Sequence, residues 1–536
     1  MSENLLDVLV VGAGPVGLFC ANELLRQGLR CRIIDKKSEI TSHSKALGIH
    51  IRSLDLLEDC GFLDEIFTQG LKVDGVMIKS HGKELINASF ADLENNRHFL
   101  IDLPQNKTER IFYNGLLSKG LEVEWNTELT ELEQTANKVI ATLQRTDGSQ
   151  EKINASWLIA CDGSHSTVRQ LLYAKFVGSS YQQTFWLADI HMDWDLPENK
   201  IIVYASDKGP LACFPMGEQR YRLVMTAPEK ITHQQPTMED IKELFNLRST
   251  DKATLSDGIW ISPFGIDHRQ IEKYRYDRVF FAGDAAHVHS PMGGQGMNTG
   301  LQDIYNLAWK LALVHKGFAH EKLLDSYQSE RRPVAKKVLK KTGAMTRMLM
   351  LSHPFLIGLR NKFLKSVISI KPIRRIILKD LAELDISYAD SPIVKILGKK
   401  TGFKIGEFID NFSLRDSHGK KKQFHQITQG TQHHLFLFSG LGNNQLSTLL
   451  DTALSIGQQY QGLIQTHLVL LNPTKDAFQS HLVWIDTDQT IHKKFGLMQS
   501  TAILIRPDKY LGLSQTPVNQ EELLRHLKNG YINKAG

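Results

Sequence analysis

Apolar runs that stop on glycine or a Gly-Asp pair recur three times in the first three hundred residues. Val8–Val11, in "DVLVVGAGPVGLFCANELLRQGLRCRIIDKK", predicts a buried strand, and Ala21, Leu24 and Leu25 supply the inner face of the helix that follows. Trp157–Ala160 predicts a second strand, ending on Asp162-Gly163 and a Ser/Thr-rich helix start at which Ser164 or Ser166 can act as cap. The third run is "VFFAGDAAHVHSPMGGQGMN", a strand, a glycine-rich turn, and a helix beginning between Gln295 and Asn298.

Between the second and third runs the pattern changes. Segments such as "TFWLADIHMDW", "KIIVYAS", "LACFPMG" and "YRLVMTAP" in residues 176–264 read as strands of a mostly antiparallel sheet. Phe185, Trp186, Phe214, Pro215, Tyr221, Arg222 and Met225 are its candidate pocket residues, although half of each strand must point away from any ligand. From Arg331 to Lys379 apolar residues recur at helical spacing, predicting two amphipathic helices broken at Pro354 and Pro372. Beyond residue 400, "HHLFLFSG", "LSTLLDTALSIGQQY" and "LIQTHLVLLNP" predict a strand–helix–strand unit. A short helix near "HKKFGL", a strand "STAILIRPDKYLGL" and a last helix "NQEELLRHLKNG" complete it.

The first run carries more than a strand. Gly12-x-Gly14-x-x-Gly17 follows a strand and opens a helix, and Asp35 stands eighteen residues after Gly17 at the end of the next strand. Gly12 allows the tight turn, Gly14 admits a pyrophosphate against backbone, and Gly17 lets helix pack on strand. Pro15 starts the helix, and Asp35, beside Lys36, is placed to hold a ribose hydroxyl. A dinucleotide site is expected.

Three readings meet residues 279–298. His287-x-His289 beside Asp284 is a metal pattern, but no further ligand stands nearby and the glycines would go unexplained, so no metal is assigned. A Walker-type phosphate loop is absent. The favoured reading is a strand-end carboxylate, Asp284, for a ribose or ribityl hydroxyl. A glycine turn and helix N-terminus would then face a planar ring.

Together, Gly12-x-Gly14-x-x-Gly17, Cys161-Asp162-Gly163 and Gly283-Asp284-Ala285-Ala286-His287 resemble the single-component (class A) flavoprotein aromatic hydroxylases, the para-hydroxybenzoate and phenol hydroxylase family. So do "SPMGGQGMNTGLQDIYNLAWKLAL", "SKALGIHIRSLDLLEDCG" and "LPQNKTERIFYNGL", and the resemblance spans essentially the whole chain. It implies an α/β fold: a Rossmann-like FAD-binding domain (1–175 and 265–345), an inserted β substrate domain (176–264), a basic helical linker (346–399) and a thioredoxin-like domain (400–536). It implies non-covalent FAD with NADPH or NADH as co-substrate, and O2 and an aromatic phenolic or polyketide-like compound as substrates. Oxygen transfer would pass through a C4a-hydroperoxyflavin. Asp284 would bind the ribityl chain, Gly283, Pro291 and Gly294, Gln295, Gly296, Met297 and Asn298 would line the flavin, Gln105 would lie by the ribityl-pyrophosphate, and Asp162 near FAD and the NAD(P)H path. Where the family commonly carries Arg, this chain has Lys45, which keeps the charge but not the bidentate fork. His289, Tyr221 and Arg222 are the candidates for activating a phenolic substrate. The rival readings are Baeyer–Villiger-type or reductase chemistry on flavin, or a non-catalytic flavin-binding scaffold; the halogenase stretch W-x-W-x-I-P is absent.

Composition narrows the setting. The 536 residues suffice for about three domains at ~150 residues each. A net charge of +6 is too mild to argue for nucleic acid, but the stretch Arg331–Lys379 holds fourteen Lys or Arg and no Asp or Glu, leaving the rest net acidic. Those helices read first as packed on the flavin domain, with contact to an anionic membrane surface as the lesser reading. Five cysteines, none after Cys213, fit no zinc or disulfide framework, exclude dithiol chemistry in the last domain, and fit a cytoplasmic setting. A structural or dimerising role, as in a homodimer, is expected of that domain.

Overall fold

The computed structural model describes residues 5–42, 44, 46–93, 99–180, 183–228, 235–290, 293–409, 411–442, 446–472 and 482–530. The chain divides into two compact units: 1–25, 30–304 and 333–384 form the first, and 26–29, 305–332 and 385–536 the second.

In the first unit the central sheet has the order Arg275–Tyr276, Val279–Phe281, Gln150–Ala160, Leu6–Val11, Cys31–Ile34. The last four run parallel. They read as apolar because both faces are covered: Val8, Leu9, Val10, Leu158, Ile159, Phe280 and Phe281 are fully buried. Val11 stands opposite both Ala160 and Ile34, and Ala160 opposite Phe281, so the strands end level. Thr127–Gln134 and Val139–Arg145 extend the sheet as an antiparallel pair.

The second sheet has seven strands, in the order Ala253–Phe264, Phe185–Trp194, Arg220–Thr226, Gly209–Gly217, Lys200–Ser206, Gly75–Ser80, Lys83–Ser89. All neighbours are antiparallel except Lys200–Ser206 with Gly75–Ser80. The last two strands come from far upstream and were not part of the sequence expectation. One face packs Trp186, Ile190, Tyr204, Leu211, Tyr221, Leu223 and Met225 beneath the helix Met238–Arg248. The other presents Phe185, Leu187, Phe214, Val224, Trp260 and Phe264 together with Met345, Leu349 and Met350. A small sheet, Gly48–Ile49, Leu100–Asp102 and Leu71–Val73, also belongs to this unit.

The helix Asp325–Leu349 runs through Pro333, and Pro354–Ser369 and Lys371–Leu381 follow, each with proline at its first turn. The expected breaks at Pro354 and Pro372 are therefore helix starts, where a missing N–H costs nothing. Among the described residues no helix is long and apolar enough to cross a membrane.

In the second unit an eight-stranded sheet has the core order Leu511–Thr516, Thr501–Ile505, His433–Phe438, Ile464–Leu470, Leu482–Ile485. His433–Phe438 is parallel to Ile464–Leu470 and antiparallel to Thr501–Ile505. The stretch read as one strand, "STAILIRPDKYLGL", is instead a hairpin, Thr501–Ile505 with Leu511–Thr516, turned at Lys509, whose φ is +67°. A buried ion network ties this unit's segments. Glu330 accepts from Lys310 at 2.7 Å, Asn306 at 2.6 Å, Ser391 at 2.6 Å and both Arg506 Nη atoms at 2.7 and 2.8 Å. Burial alone would raise the Glu330 pKa, but Arg506 and then Lys310 pull it far below the usual carboxylate range.

Candidate active site

Because the parallel strands end level, the three glycine-bearing loops leave the sheet side by side. Their amides close on neighbouring strands: Gly12 N–H donates to Ile34 O at 2.8 Å, Cys161 N–H to Val11 O at 2.8 Å, and Ala282 N–H to Ala160 O at 3.0 Å. This is the carboxyl edge at which α/β sheets bind ligands.

The three glycines of the first loop differ in what they allow. Gly12 has φ +100°, and a Cβ there would stand 2.5 Å from Cys161 O. At Gly17 a Cβ would fall 1.8 Å from Gly12 O, so the helix lies against the loop. At Gly14 nothing lies within 4 Å of the missing Cβ. Pro15 begins the helix Pro15–Arg26. Asp35 is buried and braces the loop: its Oδ2 accepts from Ala13 N–H at 2.6 Å and its Oδ1 from Lys37 N–H at 2.9 Å. Lys36 is exposed, 3.9 Å from Glu128.

Asp162 and Ser166 both cap the short helix Thr167–Leu171. Asp162 Oδ2 accepts from Val168 N–H at 3.1 Å and Ser166 Oγ from Arg169 N–H at 3.0 Å. Arg169 then joins two loops, donating to Ser164 O at 2.6 Å and Ala285 O at 3.1 Å. Gly283, at φ +58°, starts a tight turn that leaves Asp284 exposed. Asp303, fully buried, holds this turn: its Oδ2 accepts from Gly283 N–H at 3.1 Å and lies 2.7 Å from His287 Nε2.

The glycine turn after Ser290 takes φ +94° at Gly293 and +63° at Gly294, and the helix Gly296–His315 follows. Asn298 is wholly buried and clamps this turn to the strand Gly48–Ile49. Its Nδ2 donates to Gly48 O and Gly294 O, both at 2.9 Å, and its Oδ1 accepts from His50 N–H at 2.9 Å. Gln295 and Met297 are also buried, Gln295 donating to Asp380 O at 3.3 Å. Gln105 fastens the segment just before that strand: its Oε1 accepts from Ala46 N–H at 2.9 Å and its Nε2 donates to Glu109 at 2.8 Å. Lys45 and Pro291 lie outside the described residues.

On the seven-stranded sheet Tyr221 and Arg222, adjacent in sequence, face opposite ways. Tyr221 sits in the core under Met238–Arg248, edge-on to Trp194, with Trp186 and Met225 on the same side. Arg222 is on the face of Phe185, Phe214 and Trp260. Its Nε and Nη2 donate to Asp189 Oδ1 and Oδ2, both at 2.7 Å, and its Nη1 to Ala46 O at 3.3 Å. Asp102 is 1 % exposed, and neither of its carboxylate oxygens has a hydrogen-bond partner among the described residues. Burial raises its pKa to about 8, against the opposing pull of Arg222. Gly48 pairs with Asp102, and a Cβ on Gly48 would lie 3.4 Å from Oδ1. His289 stacks on His287 with 9° between ring planes, and its Nδ1 lies 3.0 Å from Ser290 O. Burial lowers its pKa to about 4, so the ring is neutral near pH 7. Among the described residues no group of three or more His, Cys, Asp or Glu is arranged to hold a metal.

A profile described as "FAD binding domain" matches residues 5–342. The chain is 32 % identical over 517 residues to a 6-methylpretetramide 4-monooxygenase of Streptomyces rimosus, covering 94 % of this chain and 90 % of that protein. The chain belongs to the class A flavoprotein aromatic hydroxylases.

Other comparisons agree. A pentachlorophenol 4-monooxygenase of Sphingobium chlorophenolicum is 34 % identical over 351 residues, 64 % of this chain and 65 % of that one. The solved structure of an anhydrotetracycline hydroxylase from Streptomyces rimosus superposes with a TM-score of 0.78 at 27 % identity, covering 99 % of both chains. The protein is thus an FAD-dependent monooxygenase, and its loops fit that cofactor. The open space at Gly14 admits a diphosphate against backbone, and Asp162 Oδ1 and Glu109 Oε2 are buried acceptors with no partner in the described residues.

Several residues that stand against the expected ones escaped the sequence expectation: Asp189, Asp102, Trp260, and the tie between His287 and Asp303. The alternation along Arg220–Thr226 could have sorted Tyr221 from Arg222. No local signal marks Asp102 or Asp189, whose partners lie on other strands.

Proposed function

We propose that this hydroxylase adds one oxygen atom to a multi-ring, polyketide-like phenol, with NADPH or NADH as electron donor. The observation carrying this reading is the correspondence over nearly the whole chain with proteins named for a pretetramide and an anhydrotetracycline, whereas the pentachlorophenol enzyme corresponds over 64 %. The broad apolar sheet face, with Arg222 and its partner Asp189 as charged members, suits a large flat aromatic carrying an acidic hydroxyl.

When bound, FAD supplies hydride acceptance and oxygen activation. The chain's own residues bind and orient. Gly12, Gly14 and Gly17 with the helix N-terminus receive the diphosphate, Asp35 the adenosine ribose, Asp284 and Gln105 the ribityl region, and Gly294–Asn298 the ring. Arg222, held by Asp189, steadies a phenolate oxygen, and Asp102 is placed to take up or return its proton. Neutral His289 offers a hydrogen bond in place of a charge. Tyr221, in the core, drops from the set of acid–base candidates. Residues 1–175 and 265–345 are read as the two parts of the FAD-binding domain, 176–264 as the substrate domain and 346–399 as the linker. The strand order and directions within 400–536 support a thioredoxin-like module in a structural or dimerising role.

The test is product analysis under ¹⁸O2 with NADPH and a panel of one-ring and four-ring phenols. The reading expects a tetracyclic phenol to gain one labelled oxygen with its rings intact. Lactone products, or turnover of one-ring phenols alone, would overturn it.

A further inference from the structure

The helix Pro354–Ser369 has two apolar faces. Ile357, Leu364 and Ile368 are buried, and Arg360 on the same side donates to Ala205 O at 2.9 Å. That face accounts for packing on the hydroxylase. The opposite face is also apolar: Phe355 is 73 % exposed, Leu356 43 %, Leu359 58 % and Phe363 60 %. Residues 355, 359 and 363 recur at four-residue steps and make one stripe. Two bulky aromatics and two leucines on one outward strip form a contiguous patch of the kind that marks an interaction site. Ile370 and Ile376, in the next turn and helix, are 48 % and 66 % exposed.

The charge that this stretch of chain carries is of one sign. Lys362, Lys365 and Lys371 are exposed, and no acidic residue occurs from Arg331 to Lys379. Part of the positive charge is already spent within the fold, as Arg374 pairs with Asp92 at 2.9 Å and Lys341 pairs with Asp380. Lys362 and Lys371, which flank the stripe, have no carboxylate partner among the described residues. An apolar strip bordered by lysines fits a surface that offers hydrocarbon beneath a layer of negative charge, and a protein partner would have to supply both features.

We propose that the outer face of Pro354–Ser369 docks on the surface of an anionic lipid bilayer, with Phe355, Leu359 and Phe363 entering the acyl boundary and Lys362 and Lys371 meeting lipid phosphates. This places the hydroxylase where apolar aromatic compounds accumulate. It does not depend on which of them is the substrate.

The experiment is co-sedimentation of the FAD-loaded protein with vesicles of phosphatidylcholine alone or of phosphatidylcholine with phosphatidylglycerol, at low and high salt. The expected result is pelleting with the anionic vesicles only, reduced at least fivefold by salt, by Lys362→Glu with Lys371→Glu, and by Phe355→Ser with Leu359→Ser and Phe363→Ser. Both variants should keep the wild-type flavin content and NADPH oxidation, because none of these residues belongs to the loops assigned to FAD. Failure to pellet with anionic vesicles would overturn the proposal, as would pelleting that the triple serine change leaves intact. A wild-type dimer made monomeric by that triple change would assign the face to a second copy instead.

Discussion

Arg222 meets Asp189 side-on, two parallel hydrogen bonds of 2.7 Å joining a nearly buried guanidinium to a nearly buried carboxylate. Such a pair fixes the guanidinium plane. Removing Asp189 leaves a buried cation alone. Asp189→Ala should lower stability by ~3 kcal/mol or more, read by urea unfolding of the flavin-loaded protein. Asp189→Asn should cost less and raise KM for a phenolic substrate more than it lowers kcat.

Asp102 supplies a pH dependence. Its folded pKa lies above its unfolded value, so its contribution favours the fold below pH ~4 and is lost as pH rises through about 8. Asp102→Asn should therefore gain in melting temperature over wild type at pH 9 relative to pH 5, measured on flavin-free protein. A constant difference across that range would remove Asp102 from the acid–base assignment.

The glycines of the first loop separate binding from folding. Gly14→Ala meets no protein atom within 4 Å, so the flavin-free protein should melt as wild type while FAD affinity falls about tenfold, ~1.4 kcal/mol. Gly17→Ala places a Cβ 1.8 Å from Gly12 O and should lower the melting temperature before any cofactor is added. Calorimetry and flavin fluorescence distinguish the two outcomes.

Glu330 anchors the second unit. Glu330→Gln leaves Lys310 buried with its charge uncompensated and Arg506 with Asp508 as its remaining carboxylate, so a loss of ~3–5 kcal/mol is expected in chemical unfolding. Flavin reduction kinetics at low temperature should change little, since Glu330 lies outside the flavin loops.

The glycine-bearing loops were legible because their signals are local: a strand ending on glycine, a helix opening three residues later, and a carboxylate at a fixed remove. Pro354 and Pro372 read as helix breaks in the sequence, whereas each stands in the first turn of a helix. Legibility ended where pairing is distant. Gly75–Ser80 joins a sheet whose partner strand begins at Lys200, and nothing in either segment names the other. Asp102 reads as one polar residue in "LIDLP"; only the strand pairing that buries it beside Gly48 makes its unpartnered oxygens visible. Arg222 was singled out by type, but Asp189, thirty-three residues earlier, was not, because their contact arises from neighbouring strands in register.

The most direct test of flavin-dependent hydroxylase chemistry is the visible spectrum of the FAD-loaded protein titrated anaerobically with NADPH, with and without aromatic ligands. The account predicts flavin bands that bleach slowly alone, bleach faster with one class of phenol, and return when O2 is admitted. Protein that binds FAD but shows no bleaching with NADPH or NADH under any ligand would contradict it.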